Sequence, residues 1–353
     1  MQMKTGPLWR HKLDWRYCHI IDWILKQSIS LRPSGPVPLN AHKSSSSNLK
    51  ARLMSLKIAV IGKSGQLARA LIREGEAIGH QIIALDRKAL DLTSTLKEIE
   101  TTIAALPSDL NCLILAAAYT GVDAAETDSD EAFKVNSAAP GAIAKACLKF
   151  DLPMIHMSTD YVFNGTASKP YLPDDDPDPL GVYGASKLDG EIAVLNSGAR
   201  ALILRTSWVY DGEGKNFLTT MLKLAKTQNK IAVVADQLGR PTYAGHLAQA
   251  VLKAAAGLAE NKSIQSGVHH VTNGGRIISW AGFAKAIFQT QNLSTHVDEI
   301  PTSDYPTPAE RPAYSALNTD NFERLFHHSI PDWQTGLRAA LDEYNSADSN
   351  IDA

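Results

Sequence analysis

Tyr183 and Lys187 stand four residues apart in the stretch VYGASKLDGE, Val182 to Glu191, with only glycine, alanine and serine between them. Residues spaced i, i+4 share one face of a helix. The preceding DDDPDPL, Asp174 to Leu180, is an acidic, proline-rich loop that does not continue a regular helix, so the helix is expected to begin near Val182 or Tyr183. A second stretch, MIHMSTDYVF, places Ser158, Thr159 and Asp160 at the end of an apolar, strand-like run. A threonine hydroxyl, a phenol and an ammonium brought together suit the reduction of a ketone by hydride from a nicotinamide. The developing alkoxide needs a proton, and an unperturbed phenol, with a pKa of about 10, gives one reluctantly. A lysine cation beside it is expected to stabilise phenolate and lower that pKa. Lys187 would also hydrogen-bond the nicotinamide ribose, and Thr159 would hold the carbonyl oxygen. A bare Y-x-x-x-K arises often by chance, so this reading depends on the elements around it.

Those elements alternate. LKIAVIG, Leu56 to Gly62, is a short apolar run ending in glycine, as in a buried parallel strand. A helical pattern follows from Gln66 to about Ile78, and HQIIALD repeats the strand signal and stops at Asp86. Then come a helix near Thr95 to Ala105, the strand NCLILAAA, a long helix from about Asp130 to Phe150, and the strand LPMIHMS. The alternation predicts a parallel sheet with helices on both faces. Its first strand-turn-helix reads Gly62-Lys-Ser-Gly65-Gln-Leu-Ala68, a turn whose glycines let the backbone approach a pyrophosphate at a helix N-terminus. Asp86 ends the next strand about 20 residues on, where a ribose-binding acid belongs. Arg87 follows it and suits a 2′-phosphate. Asp86 favours NADH and Arg87 favours NADPH, and both stay open. Thr159 lies just past a strand's C-terminal end, where such sheets hold ligands. The fold expected is α/β, a Rossmann-type doubly wound parallel sheet with a smaller mixed α/β substrate domain.

The 353-residue chain has room for one large domain or two modest ones. A formal charge of −2 gives no reason to expect nucleic acid or an anionic membrane as partner. No apolar run approaches the roughly 20 residues that span a bilayer. Cys18, Cys112 and Cys147 are too few and too scattered for a disulfide framework or zinc site and read as free thiols in a reducing cytoplasm. The adjacent histidines 269–270 and 327–328 lack metal-ligand spacing, so no protein-built metal cage is expected. Residues 1–53 differ in character. They hold Trp9, Trp15 and Trp23, then RPSGPVPLN and the serine run 44–47. They read as a disordered or mis-assigned extension, with a start at Met54 preferred over a targeting presequence. Residues 54–208 are expected to bind the dinucleotide and 209–345 the substrate, the second region being discontinuous because a helix over 245–258 returns to the sheet.

From Met54 to about Asn345 the chain resembles the dTDP-4-dehydrorhamnose reductases, extended short-chain dehydrogenases/reductases. The resemblance rests on GKSGQLA, AAAYTGVDAAE, VNSAAPGAIAKAC, STDYVFNG, PLGVYGASKLDGE, ILRTSWVY, NFLTTML, DQLGRPT and YPTPAERPAYSALN, which occur in the family's order. It implies a cytoplasmic enzyme that reduces the C4 ketone of dTDP-4-dehydro-L-rhamnose with NADPH or NADH. Gly62, Gly65, Gln66 and Leu67 would lie along the dinucleotide, and Asp86 or Arg87 with Asp91 and Leu92 would contact its adenosine half. Ala118, Tyr119 and Thr120 would line the nicotinamide side. Thr159, Tyr183 and Lys187 match the catalytic positions, and Asp160 and Trp208 match substrate contacts. Arg240 and Arg311 are candidates for the substrate diphosphate, each weighed against a structural ion pair.

Several positions depart from the family. Pro173 stands where relatives usually carry glutamate, Gly181 where they carry asparagine, and YVFNG replaces YVFDG. Some relatives hold Mg2+ through glutamates at a homodimer contact, but the position expected on the first helix is Ala70 here. Two rival readings remain. One is another nucleotide-sugar enzyme on the same scaffold, although a dehydratase would add an acidic pair after the threonine and here Tyr161 follows Asp160. The other is a non-catalytic NADP-binding module like the regulatory subunit of methionine adenosyltransferase.

Overall fold

The computed structural model describes residues 55–349, so the expectations for residues 1–53 lie outside the described residues. The strands are β1 (Lys57–Ile61), β2 (Gln81–Leu85), β3 (Cys112–Leu115), β4 (Met154–Thr159), β5 (Ala201–Thr206), β6 (Val209–Tyr210), β7 (Lys230–Val234), β8 (Leu238–Gly239), β9 (Thr242–Tyr243), β10 (Gly267–His270), β11 (Ile278–Ser279) and β12 (His296–Ile300). The α-helices are α1 (Gln66–Ala77), α2 (Leu96–Ala104), α3 (Ser129–Phe133), α4 (Ala139–Lys149), α5 (Val182–Leu195), α6 (Phe217–Ala225), α7 (Ala244–Glu260), α8 (Trp280–Thr290), α9 (Asp320–Phe326) and α10 (Trp333–Ser349).

Six strands form one sheet in the order β10-β5-β4-β3-β1-β2, and every pairing is parallel. The apolar runs KIAVI, CLIL and MIHMST are buried almost throughout because helices cover both faces. On one face α1 and α7 pack together, with Ala68, Leu71, Leu247 and Val251 in a shared core. On the other, Ile99, Ile143 and Val194 come from α2, α4 and α5. The chain runs from β1 outward to β2 and then returns to the opposite side of β1 as β3. This reversal leaves a crevice at the strands' C-terminal ends, the place where open α/β sheets take ligands.

The helix expected over 245–258 occupies Ala244–Glu260, and α7, β10 and α9 all serve the central sheet layer. A separate core gathers Leu218 and Leu222 of α6, Phe283 and Ile287 of α8, Ile231 and Val233 of β7, Val297 of β12, and Trp333 and Leu337 of α10. Helix and strand are mixed there, with β12 pairing parallel to β7. Among the described residues no helix is long and apolar enough to cross a membrane. Cys112 and Cys147 are buried free thiols.

One element differs from expectation. The single long helix read over Asp130 to Phe150 is three pieces, because Lys134–Ala138 forms a π-helical turn between α3 and α4. Such turns occur mostly as single insertions and often at functional sites. Here the turn serves Asn136, whose Oδ1 accepts from the Tyr119 backbone N–H at 2.8 Å while its Nδ2 donates to the Tyr119 carbonyl at 3.0 Å. Helical periodicity does not register this, since a backbone partner 17 residues away supplies the reason.

Glycine governs how closely α5 approaches this turn. A Cβ on Gly190 would lie 2.0 Å from the Asn136 carbonyl oxygen, and one on Gly184 would lie 2.1 Å from the Tyr161 carbonyl oxygen. Both obstacles are backbone, so neither yields cheaply. Gly190→Ala is therefore expected to destabilise the fold by about 1–3 kcal/mol through overpacking. Thermal and denaturant unfolding check this, and an unchanged midpoint would refute the close-approach argument.

Candidate active site

The strand ends around the crevice enclose a cavity of about 360 Å3. Gly62, Gly65, Asp86, Arg87, Asp91, Leu92, Ala118, Tyr119 and Thr120 all line it. Gln66 and Leu67 open helix α1 beside it. Gly62 adopts φ +114°, a left-handed conformation that favours glycine, and a Cβ there would press on the Ala117 backbone nitrogen at 3.3 Å. At Gly65 a Cβ would meet nothing within 4 Å. Gly65 is also the N-cap of α1 and offers no capping side chain, so the first N–H groups of the helix have no cap partner there. Open space in front of uncapped N–H groups fits a dinucleotide pyrophosphate.

At the far end of the cavity the charged groups are mutually engaged. Asp86 folds into its own turn, its Oδ1 accepting from the Lys88 and Ala89 N–H groups at 3.0 Å each. These bonds, that of Ala89 first, lower its pKa. Arg87 donates from Nε to Asp91 at 3.1 Å, and Asp91 also accepts from the Thr93 N–H and hydroxyl, each at 2.8 Å. The Thr93 bonds lead in holding Asp91 down at about 2.

Thr159, Tyr183 and Lys187 converge at the end of β4. Thr159 is buried, accepts from the Tyr161 N–H at 3.2 Å and donates to Asp160 Oδ1 at 3.1 Å. The Thr159 hydroxyl also acts on the Tyr183 phenol, opposing the rise of its pKa. Asn136 joins this cluster to the cavity wall, because besides gripping Tyr119 it donates to Ser186 Oγ on α5 at 3.0 Å. Burial dominates the electrostatics. It raises Tyr183 to about 12, opposed by the Thr159 hydroxyl and helped by Asp160. It lowers Lys187 to about 8, opposed by Glu191. The depression of the Tyr183 pKa expected from the sequence is thus reversed. The physical reason is that the Lys187 ammonium donates to the Met157 carbonyl at 2.7 Å and desolvation of the phenol prevails.

Three groups that spacing alone did not single out hold this cluster in place. Glu191 and Arg205 form a buried bidentate pair at 2.9 and 2.7 Å, with side-chain exposures of 2% and 4%. Glu191 also accepts from Ser158. Glu126 Oε1 accepts from the Val182 N–H at 2.8 Å and so caps α5, whose own N-cap residue, Gly181, has no side chain to do so. A Cβ on Gly181 would meet that carboxylate oxygen at 2.6 Å. A signal for Glu191 existed in the sequence: it follows Lys187 by four residues and lies on the same helix face.

The remaining candidates divide. Asp160 is buried beside Thr159. Trp208 takes φ +49°, rare for a bulky residue, and stacks on Trp280 with ring centroids 3.6 Å apart and planes 7° apart. Gly239 admits the indole, since a Cβ there would lie 2.7 Å from it. Arg311 is committed to the ion-pair alternative, donating to Asp123 at 3.0 and 2.8 Å. Arg240 forms no ion pair among the described residues. It donates to the backbone carbonyls of Gly275 and Leu317, both at 3.0 Å. Among the described residues no group of three or more His, Cys, Asp or Glu is placed to hold a metal ion.

Residues 56–346 match the family model described as the RmlD substrate binding domain. The chain is 40% identical over 290 residues to the dTDP-4-dehydrorhamnose reductase of Sinorhizobium fredii, covering 80% of this chain and 96% of that protein. It is 38% identical over 297 residues to the reductase of the same name from Escherichia coli K12, covering 82% and 98%. Among solved structures, the dTDP-4-dehydrorhamnose reductase of Bacillus anthracis in complex with NADP matches with a TM-score of 0.76 at 33% identity, covering 82% of this chain and all of that one.

Replacing Arg205 with methionine leaves the Glu191 carboxylate buried without its partner, so Arg205→Met is expected to cost about 3–5 kcal/mol. The double variant Arg205→Met/Glu191→Leu removes both charges and should lose much less. Denaturant unfolding of the two variants decides it, and equal losses would deny the pair its place as the clamp of α5.

Proposed function

The chain belongs to the dTDP-4-dehydrorhamnose reductase family, and from that membership we propose that it reduces the C4 ketone of dTDP-4-dehydro-L-rhamnose to give dTDP-L-rhamnose. The observation that carries the reading is the convergence of Thr159, Tyr183 and Lys187 at the end of β4, beside the glycine-turn cavity.

When bound, the reduced nicotinamide supplies the hydride. Residues 54–208 and the returning helix α7 would hold it, the N–H groups of Gln66 and Leu67 serving the pyrophosphate and Ala118, Tyr119 and Thr120 the nicotinamide half. Tyr183 gives its phenolic proton to the C4 oxygen, and the Thr159 hydroxyl fixes that oxygen as a second donor. Lys187, cationic at neutral pH, orients the ribose. An alkoxide is a far stronger base than phenolate, so the raised Tyr183 pKa does not prevent this transfer. The Trp208 indole presents an apolar face to the sugar, and Asp160 meets its hydroxyls. Because Asp86 is turned into its own loop and Arg87 is neutralised by Asp91, neither dominates the adenosine end, and we assign use of both NADPH and NADH.

Purified full-length protein should oxidise either cofactor when given dTDP-4-dehydro-L-rhamnose, followed by nicotinamide absorbance. Tyr183→Phe is expected to remove turnover, and Thr159→Val to lower kcat by about 100-fold or more. The two cofactors should differ by less than about tenfold in kcat/KM, a gap of roughly 1.4 kcal/mol. Tight cofactor binding without turnover would overturn the reductase assignment in favour of a regulatory module. A larger cofactor ratio would show which of Asp86 and Arg87 governs.

A further inference from the structure

We propose that Trp280 sets the grip on the sugar nucleotide by fixing the indole of Trp208. This rests on the reductase reading above, in which Trp208 offers a face to the sugar. Trp208 follows Thr206 by two residues, and Thr206 is the register partner of Thr159, so the indole leaves β5 beside the reactive end of β4. Among the described residues, four that are not glycine take positive φ: Asp151, Trp208, Asn292 and His327. Asp, Asn and His enter that region readily, whereas a bulky ring does not. A residue held there persists only where its surroundings over-determine it, and such residues gather at ligand clamps.

The short antiparallel ladder of β8 and β11 supplies those surroundings. In it Gly239 pairs with Ile278. A Cβ on Gly239 would lie 2.7 Å from Trp208 Cε2 and 2.9 Å from Cζ2, so a bare backbone lets the indole in. Two residues beyond Ile278 the same ladder delivers Trp280, which covers the Trp208 ring with centroids 3.6 Å apart and planes 7° apart. Aromatic pairs ordinarily sit offset, with centroids about 4.5–7 Å apart. The close, nearly parallel stack is therefore imposed by the frame around the two rings.

Trp280 is itself anchored. It opens α8 directly after the N-cap Ser279, whose hydroxyl accepts from the Gly282 N–H at 3.0 Å. Phe217 lies against it with centroids 4.6 Å apart and stacks in turn on fully buried Phe283. Trp208 and Trp280 are only half-buried, so the aromatic row runs from the mixed core outward to an accessible edge. Trp280 acts through Trp208 and is a positioning residue. A face that meets the sugar equally before and during hydride transfer contributes to KM and not to kcat.

The test is a double-mutant cycle read by steady-state kinetics of the full-length protein, with dTDP-4-dehydro-L-rhamnose varied at saturating NADPH. Trp280→Leu should raise the KM for the sugar nucleotide about tenfold, change kcat by less than about twofold and leave the KM for NADPH unchanged. Trp208→Leu should raise it at least as much. The double variant should be no worse than Trp208→Leu alone, because the support then has nothing to hold. Trp280→Phe keeps a ring against the indole and should raise KM only about threefold; it carries the cycle if the leucine variant does not fold. An unchanged KM in the Trp280 variant would overturn the proposal, as would additive losses in the double variant or a fall in kcat with KM intact. Each of those results leaves the reductase reading standing. A wild type that binds NADPH but turns over no sugar nucleotide would overturn that reading, and the positioning role with it.

Discussion

The buried pair of Glu191 and Arg205 is the constraint on which the rest of the site depends. Burying two charges costs several kcal/mol per ion, and that cost is offset only by well-formed bonds. The chain supplies them: two guanidinium bonds, a third from Ser158, and the Phe163 ring 5.0 Å from the guanidinium. Ser158 and Arg205 are register partners on β4 and β5, so both reach the same carboxylate from adjacent strands. Glu191 lies one turn beyond Lys187 and two beyond Tyr183. Fixing it fixes the azimuth of α5, and with it the direction of the phenol and the ammonium. Apolar packing alone does not set that azimuth, because Gly184, Ser186, Lys187, Gly190 and Glu191 are buried on this helix beside Leu188 and Val194.

A second constraint is how closely backbones approach. Helix α5 reaches the turn after β4 and the π-helical turn only because Gly184 and Gly190 lack side chains. The same closeness lets Asn136 reach Ser186 on α5 and both backbone groups of Tyr119 at the cavity wall. Asn136 therefore couples the wall of the cavity to the helix that bears Tyr183. Glu126 does comparable work from the segment after β3, capping the same helix from outside it. Three elements distant in sequence thus fix one helix, which is the preorganisation that proton transfer requires.

The sheet and its helices were legible from the chain because their signals are local. Apolar runs of four to six residues became β1 to β4, the first ending at Gly62 and the second at Asp86, and the glycine spacing marked the turn before α1. The spacing of Tyr183 and Lys187 was legible too. What those side chains touch was not. Lys187 meets a carbonyl 30 residues away, and Arg311 meets a carboxylate 188 residues away. No local pattern distinguishes a guanidinium that binds a diphosphate from one that fastens two loops. The π-helical turn escaped for the same reason, since its cause is the Tyr119 backbone rather than the periodicity of its own residues.

Around the end of β4 the environment favours neutral over charged forms. Burial moves Tyr183 and Asp160 up and Lys187 down. This bias has a direction in catalysis. Reducing a ketone needs a phenol that holds its proton until an alkoxide develops, whereas the reverse oxidation needs phenolate from the start. Burial therefore holds the Tyr183 phenol in its protonated form, the form that a reduction would call on. Thr206 and His156, on the same strands with buried polar atoms unpartnered among the described residues, show that the surroundings offer little polar compensation. The ion pair that clamps α5 is the exception, and it lies where position rather than proton transfer is at stake. The same burial that makes that clamp costly to break leaves the neighbouring phenol an acid slow to ionise and able to respond to the charge of a developing alkoxide.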